Sequence, residues 1–171
     1  GEFLGELDVA SMYPSIILGQ GLYPAHIGPE FCAVYRAIFD ERMAAKNSGD
    51  KLVSESLKLV LNSSFGKFGS EYSFLYSPEL LIQTTISGQL ALLMLIEMLS
   101  LAGIKTYSAN TDGVVVKHAG NAISVVQRWE ARTGWKLEWT PYDAIYSESV
   151  NNYVAVKPGG GVKLKGTYAP P

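Results

Sequence analysis

The sequence predicts an α+β protein: an antiparallel sheet backed by helices, with a short helical hairpin inserted after the first strand. Three observations carry this expectation. Short runs such as "FLGELDV", "IKTYSA" and "VVVK" have the strand-like character of a half-buried sheet. Longer runs such as "PEFCAVYRAIFDERMAAK" and "PELLIQTTISGQLALLMLIEMLSLA" have helical spacing and helix-ending signals. The order is strand, helix pair, long helix, hairpin, helix, strands, which is not the regular strand–helix alternation of a parallel sheet.

Each element follows from local chemistry. "FLGELDVASMY" alternates until Tyr13-Pro14, so the first strand ends near Asp8 or Val9. The next helix has Pro29 near its start, with Phe31, Val34, Ile38, Met43 and Ala45 mostly on one side. "NSGD" stops it, and Asp50 is suited to cap a second helix from Lys51 to about Gly66. After a Gly- and Ser-containing bend, Pro78 opens a long helix from Glu79 to Ala102, closed by Gly103. "IKTYSA" and "VVVK" are strands flanking the bend "NTDG", and "NAISVVQRWEART" is an amphipathic helix ended by Gly134. "KLEWTPYDAIYS", "NYVAVK" and "VKLKGTY" read as three further strands, the last two joined by "PGGG".

The bulk numbers set bounds on function. With 171 residues, 47% apolar and 18% charged, the chain can form one globular domain with a sizeable core. A formal charge of -2 argues against a generic basic coat for nucleic acid, though not against a local basic patch. Cys32 is the single cysteine, so no disulfide framework forms and a reducing, cytoplasmic compartment is expected. His26 and His118 have no partner at metal-ligand spacing and read as surface or turn residues. The stretch "LALLMLIEMLSLAG", interrupted by Glu97, reads as a buried core helix rather than a membrane span. The chain lacks the basic start of a secretory leader, begins without Met and ends on "YAPP", as a piece of a longer polypeptide would.

Four stretches carry chemistry. In "LDVASMYPSII", Asp8 ends a strand, and the following turn has backbone amides from Val9 to Met12 that could meet an anion. A carboxylate beside such amides suits Mg²⁺, which prefers hard oxygen ligands and often bridges protein to phosphate. In "KLVLNSSFGKFG", helical spacing brings Lys58, Asn62, Phe65 or Gly66, and Gly69 to one face. Gly66 and Gly69 each weaken that helix by roughly 1 kcal/mol relative to Ala, which calls for a reason. Arg42 and Lys46 lie one helical turn apart and, across the hairpin, can share a side with Lys58. Finally, "SANTDGVVVK" is an ordinary hairpin bend by composition, yet it can also hold Asp112 out toward Asp8. Two converging carboxylates can hold two metal ions about 3.5–4 Å apart.

Together these stretches resemble the polymerase core of family B DNA polymerases, in the same chain order. "DVASMYPS" is similar to motif A, D-x-x-S-L-Y-P-S, and "KLVLNSSFG" to motif B, K-x-x-x-N-S-x-Y-G, with Phe65 at the Tyr position. "NTDG" resembles motif C, D-T-D-S, with Asn110 for the first Asp, Thr111 and Asp112 kept, and Gly113 for the Ser. "ERMAAK" resembles the finger helix that reaches the incoming triphosphate, and "NNYVAV" with "KLKG" the region holding the primer end.

The resemblance implies specific roles. Asp8 and Asp112 would bind two catalytic Mg²⁺ ions, for which Mn²⁺ may substitute. Ser11 and Met12 would hold the triphosphate through their amides, and Tyr13 would lie under the sugar. Arg42, Lys46 and Lys58 would neutralise phosphates, and Asn62, Phe65 and Gly66 would line the pocket of the nascent base pair. Tyr153 and Lys165 would contact the primer. Residues 1–28 and 67–171 would then form a palm and residues 29–66 abbreviated fingers, with exonuclease and thumb lying outside this chain. The partners implied are a DNA primer-template and dNTPs, with no membrane, in a bacterial or phage-infected host cell. Two other readings stay open: a non-catalytic palm-like interaction module, and the palm of another polymerase class.

Overall fold

A computed structural model describes residues 2–118 and 120–170, which divide into two compact units: Gly1–Ala10 with Gln89–Pro171, and Ser11–Gly88.

The first unit is α+β and wholly antiparallel in its sheets. β1 (Phe3–Val9) pairs with β3 (Gly113–His118) on one side and β4 (Leu137–Tyr142) on the other, and β2 (Lys105–Ala109) extends the sheet beyond β3. The resulting order is β2-β3-β1-β4. The strand period separates its two faces. Leu7, Val9, Val114 and Val116 are buried on one, while Glu6 and Asp8 lie on the other, opposite Thr140 and Glu138 of β4. α5 (Ala122–Thr133) buries Val125 and Trp129, and the Trp129 indole N–H donates to the Ala91 carbonyl at 2.8 Å. That bond satisfies the one polar group of a large buried ring.

The segment "KLEWTPYDAIYS" forms two strands rather than one. It breaks at Asp143 into β4 and β5 (Ala144–Ser149), and β5 joins β6 (Asn152–Val156) and β7 (Val162–Lys165) in a second antiparallel sheet. Pro141 fits β4 because that strand lies at the edge of its sheet. No glycine and no long polar run marks the break, so composition alone does not reveal it.

The second unit is helical. α1 (Met12–Gly19) was not expected, since Tyr13-Pro14 reads as a stop. Pro14 instead lies in the first helical turn, where a missing N–H breaks no bond. α2 (Glu30–Ser48) and α3 (Lys51–Lys67) form the expected hairpin. Gly49 ends α2 at φ 80°, and the Asp50 carboxylate caps α3 by accepting from the Val53 N–H at 3.1 Å. The expected apolar side of α2 is only partly right. Val34 is exposed, while Tyr35 and Arg42 are buried. α4 (Pro78–Leu101) passes from one unit into the other at Gly88. A methyl group on Gly88 would overlap the Met12 side chain, so the glycine permits close approach of α4 to α1.

α4 is also less buried than expected. Ile82, Ile86, Leu90 and Leu93 are exposed, and one third of its most apolar window is covered. By length and composition it is apolar enough to cross a membrane. A helix apolar on all sides does not show in its sequence which side is covered.

Candidate active site

Asp8 and Asp112 meet at one end of the four-stranded sheet. Asp8 lies directly across from Gly113, and the Val9 N–H donates to the Asp112 carbonyl at 2.7 Å, so backbone pairing fixes both residues. The bend itself is organised by Asn110. Its side-chain oxygen accepts from the Asp112 N–H at 3.0 Å and from the Gly113 N–H at 2.6 Å, while its own N–H donates to the Gly113 carbonyl. This is the side-chain-to-backbone turn that Asn and Asp both make, so Asn110 keeps the bend without adding another charge. Gly113 has a steric reason too. A methyl group there would come within 2.8 Å of an Asp8 carboxylate oxygen and 3.0 Å of the Leu7 carbonyl.

The electrostatics follow from that geometry. Burial first, then the Asp112 and Glu6 charges, push the Asp8 carboxyl up to about 6, and Glu138 adds to this. Lys163 opposes the rise. A carboxylate that is crowded by like charge and partly desolvated gains from a bound cation. The Val9 and Ala10 amides, expected to face an anion, are already used: they donate to the Asp112 and Lys136 carbonyls. The amides that could meet an anion are therefore those of Ser11 and Met12, in the second unit.

There, Ser11 adopts left-handed backbone angles, φ 50° and ψ 51°, the only non-glycine residue with positive φ among those described. Such a conformation costs about 1–2 kcal/mol in a residue with a Cβ. Its hydroxyl does not cap α1; instead it accepts from the Arg42 guanidinium. Arg42 is 7% exposed, its Nε has no hydrogen-bond partner, and no carboxylate pairs with it among the described residues. A buried guanidinium without a counter-charge is costly, and an anion would relieve it. Tyr13 stacks on Phe65 with ring centroids 3.9 Å apart and planes 15° from parallel. Phe65 also meets Phe68 edge-on, so the pair rests on the core of this unit.

Lys46 and Asn62 are exposed, and Lys58 lies 3.6 Å from Glu55 in an exposed pair. A methyl group on Gly66 would meet nothing within 4 Å, so packing in this chain does not require glycine there. Thr111 is exposed at the bend. Tyr153 is 5% exposed and packs with Tyr142 and Ala155, while Lys165 lies over its ring, 5.8 Å from ammonium to centroid.

Sequence reasoning missed a buried polar group beside Asp8. Glu6, 3% exposed, accepts from the Tyr142 hydroxyl at 2.6 Å and from the Lys163 ammonium at 2.6 Å. Burial opposes its ionisation, but these two hydrogen bonds and the Lys163 charge outweigh it and hold the carboxyl below its ordinary range. The signal available was period two: Glu6 shares the Asp8 face of β1, and Lys163 shares the Lys165 side of β7. No cluster of three or more His, Cys, Asp or Glu residues suited to a metal ion occurs among the described residues, so Asp8 and Asp112 form a two-carboxylate candidate.

No family model and no curated protein matches the chain. Among solved structures, it is similar to the family B DNA polymerase from the hyperthermophilic archaeon Pyrobaculum calidifontis, with a TM-score of 0.75 and 19% sequence identity. The likeness covers 97% of this chain and 27% of that one. At this identity it shows the fold: a family B polymerase-like α+β arrangement with antiparallel sheets backed by helices.

Proposed function

We propose that this chain is the catalytic core of a DNA-directed DNA polymerase of the family B kind, a palm with abbreviated fingers, adding dNMP to a primer 3′-hydroxyl in replication. The observation that carries the reading is the pairing of Asp8 with the Asp112 bend on adjacent strands, in a fold similar to that of a family B polymerase. Two carboxylates of hard oxygen, one of them driven toward protonation by its neighbours, are a donor set that suits divalent cations. Asp8 and Asp112 would hold Mg²⁺, with Mn²⁺ able to substitute. Bound there, such ions would supply activation of the attacking hydroxyl and stabilisation of the departing phosphate oxygens.

This chain's own residues do the rest. Asn110 holds Asp112 in its bend through two hydrogen bonds. In the helical unit, Arg42 and the Ser11 and Met12 amides are assigned the triphosphate, and the unpaired Arg42 Nε supports this. Lys46, Lys58 and Asn62 would add to it from the exposed hairpin. Tyr13 stacked on Phe65 offers a rigid aromatic surface to the sugar and base, and the open space at Gly66 admits a flat group. Lys165 is assigned to the primer strand, with Tyr153 supporting it from beneath. A replicative role in the cytoplasm of a bacterial or phage-infected cell belongs to the same proposal.

Two measurements test the reading. Electron paramagnetic resonance titration with Mn²⁺ should show binding that Asp8→Ala and Asp112→Ala each weaken by on the order of tenfold or more. Primer extension with Mg²⁺ and dNTPs should be lost in both variants. Extension that survives both substitutions refutes the assignment of the carboxylates. Absence of both Mn²⁺ binding and extension in the unsubstituted chain would favour the non-catalytic module.

A further inference from the structure

Glu6 and Tyr142 are buried, Lys163 is only partly so with 38% of its side chain exposed, no step above uses them, and together they join two sheets that share no ladder. β1, which carries Asp8, belongs to the four-stranded sheet; β7, which carries Lys165, belongs to the three-stranded one. The chain links the sheets at Asp143, whose N–H donates to the Val156 carbonyl at 2.7 Å, and a small apolar cluster of Tyr142, Tyr153 and Ala155 packs with Leu4 and Ile145. Neither link reaches the Asp8 end of β1. The Glu6 carboxylate does, two residues from Asp8 on the same face. It accepts from Lys163 of β7 at 2.6 Å and from Tyr142 of β4 at 2.6 Å. Lys163 in turn lies over the Tyr153 ring at 5.8 Å, on the same ring that Lys165 covers.

We propose that Glu6, Lys163 and Tyr142 form a positioning clamp that holds the strand bearing Asp8 at a set spacing from the strand bearing Lys165. The inference rests on the polymerase reading, and it assigns the clamp the task of aligning the primer end with the carboxylates. A charge-assisted carboxylate–ammonium hydrogen bond has a preferred distance and direction, whereas apolar burial is non-directional. Burying the Glu6 carboxylate is costly, and an apolar side chain in its place would fill the space without that cost. A geometric requirement accounts for the ion pair where stability does not. None of the three residues is assigned contact with substrate.

Single-turnover primer extension by the full chain tests this, using Lys163→Met, Lys163→Arg, Glu6→Gln and the double variant Glu6→Gln/Lys163→Met. Misalignment of reacting groups lowers the maximal rate, here by on the order of tenfold in Lys163→Met and Glu6→Gln, while KM for dNTP stays unchanged. Lys163→Arg keeps the charge and should recover to within about threefold of the parent chain. The double variant should be no worse than the poorer single one, because both substitutions disable one device. Maximal rates within about twofold of the parent in both single variants, or losses that multiply in the double, overturn the clamp. If Lys163→Met does not fold, Glu6→Gln against Lys163→Arg carries the same comparison. Hydrogen exchange adds a measurement independent of activity: amides of β6 and β7 should exchange faster in Glu6→Gln, and unchanged exchange overturns the clamp. Asp8→Asn run alongside separates the two readings. If the parent chain does not extend, or Asp8→Asn extends equally well, the polymerase reading has failed and the clamp with it. If Asp8→Asn is inactive while the clamp variants are normal, the clamp alone has failed.

Discussion

At the scale of single residues, Asp8 shows how a partly buried carboxylate crowded by like charge lowers stability. Its carboxyl titrates near 6 in the folded protein and near 3.8 ordinarily. Between those values the folded chain holds a proton that the unfolded chain has released, so stability falls as pH rises through that window. Asp8→Asn removes the penalty. In the absence of divalent cations it should stabilise the chain above pH 6 by about 1–2 kcal/mol, a figure reduced for the solvent screening of a half-exposed group. Thermal melts should show the gain shrinking to nothing below about pH 4, and an equal gain at every pH would assign it to packing. Gly113 makes the opposite point. Alanine normally suits a strand better than glycine, yet Gly113→Ala brings a methyl group against Asp8 and the Leu7 carbonyl. Urea unfolding should show a loss of about 1–2 kcal/mol, with weaker Mn²⁺ binding, whereas a gain would mean that Asp8 does not lie across from Gly113.

Among the elements, α3 would carry the clearest exchange of stability for function under the proposed reading. Gly66 lies near its C-terminal end, where a side chain would meet open space. Gly66→Ala should therefore stabilise the chain by up to about 1 kcal/mol. In the proposed pocket the same methyl group would obstruct the base or sugar, so dNTP binding should weaken as the melting temperature rises. A rise in both would remove Gly66 from the pocket. The other elements explain what could be anticipated. The α2–α3 hairpin was legible because its stop, bend and cap are all local, in Gly49 and Asp50. α1 was hidden because Pro14 is a helix breaker in one context and a first-turn residue in another. The β4–β5 break at Asp143 was hidden because no glycine or long polar run marks it.

For the whole molecule, the net charge of -2 limits how DNA would be held under the proposed function. Affinity would then come from a few local cations rather than a broad basic field. The logarithm of the binding constant for a primer-template should fall with the logarithm of salt at a slope no steeper than about -3, the mark of two or three phosphate contacts. Fluorescence anisotropy across a salt series measures this, and a much steeper slope would reveal a basic surface beyond the lysines and arginine named here. The chain spans 27% of the length of the polymerase it resembles in fold, so the comparison concerns about a quarter of that protein.

The sequence by itself determined the fold class, the helical hairpin and the bend at Asn110 to Gly113, and it nominated Asp8 and Asp112 as candidates, because these rest on period, turn chemistry and short motifs. Only the tertiary structure decided that Gly113 lies across from Asp8, that Arg42 is buried against Ser11, and that Glu6 is paired with a lysine 157 residues away. Strand register and buried ion pairs are set by how remote faces pack. Packing is a property of the whole chain, and no short stretch of sequence carries it.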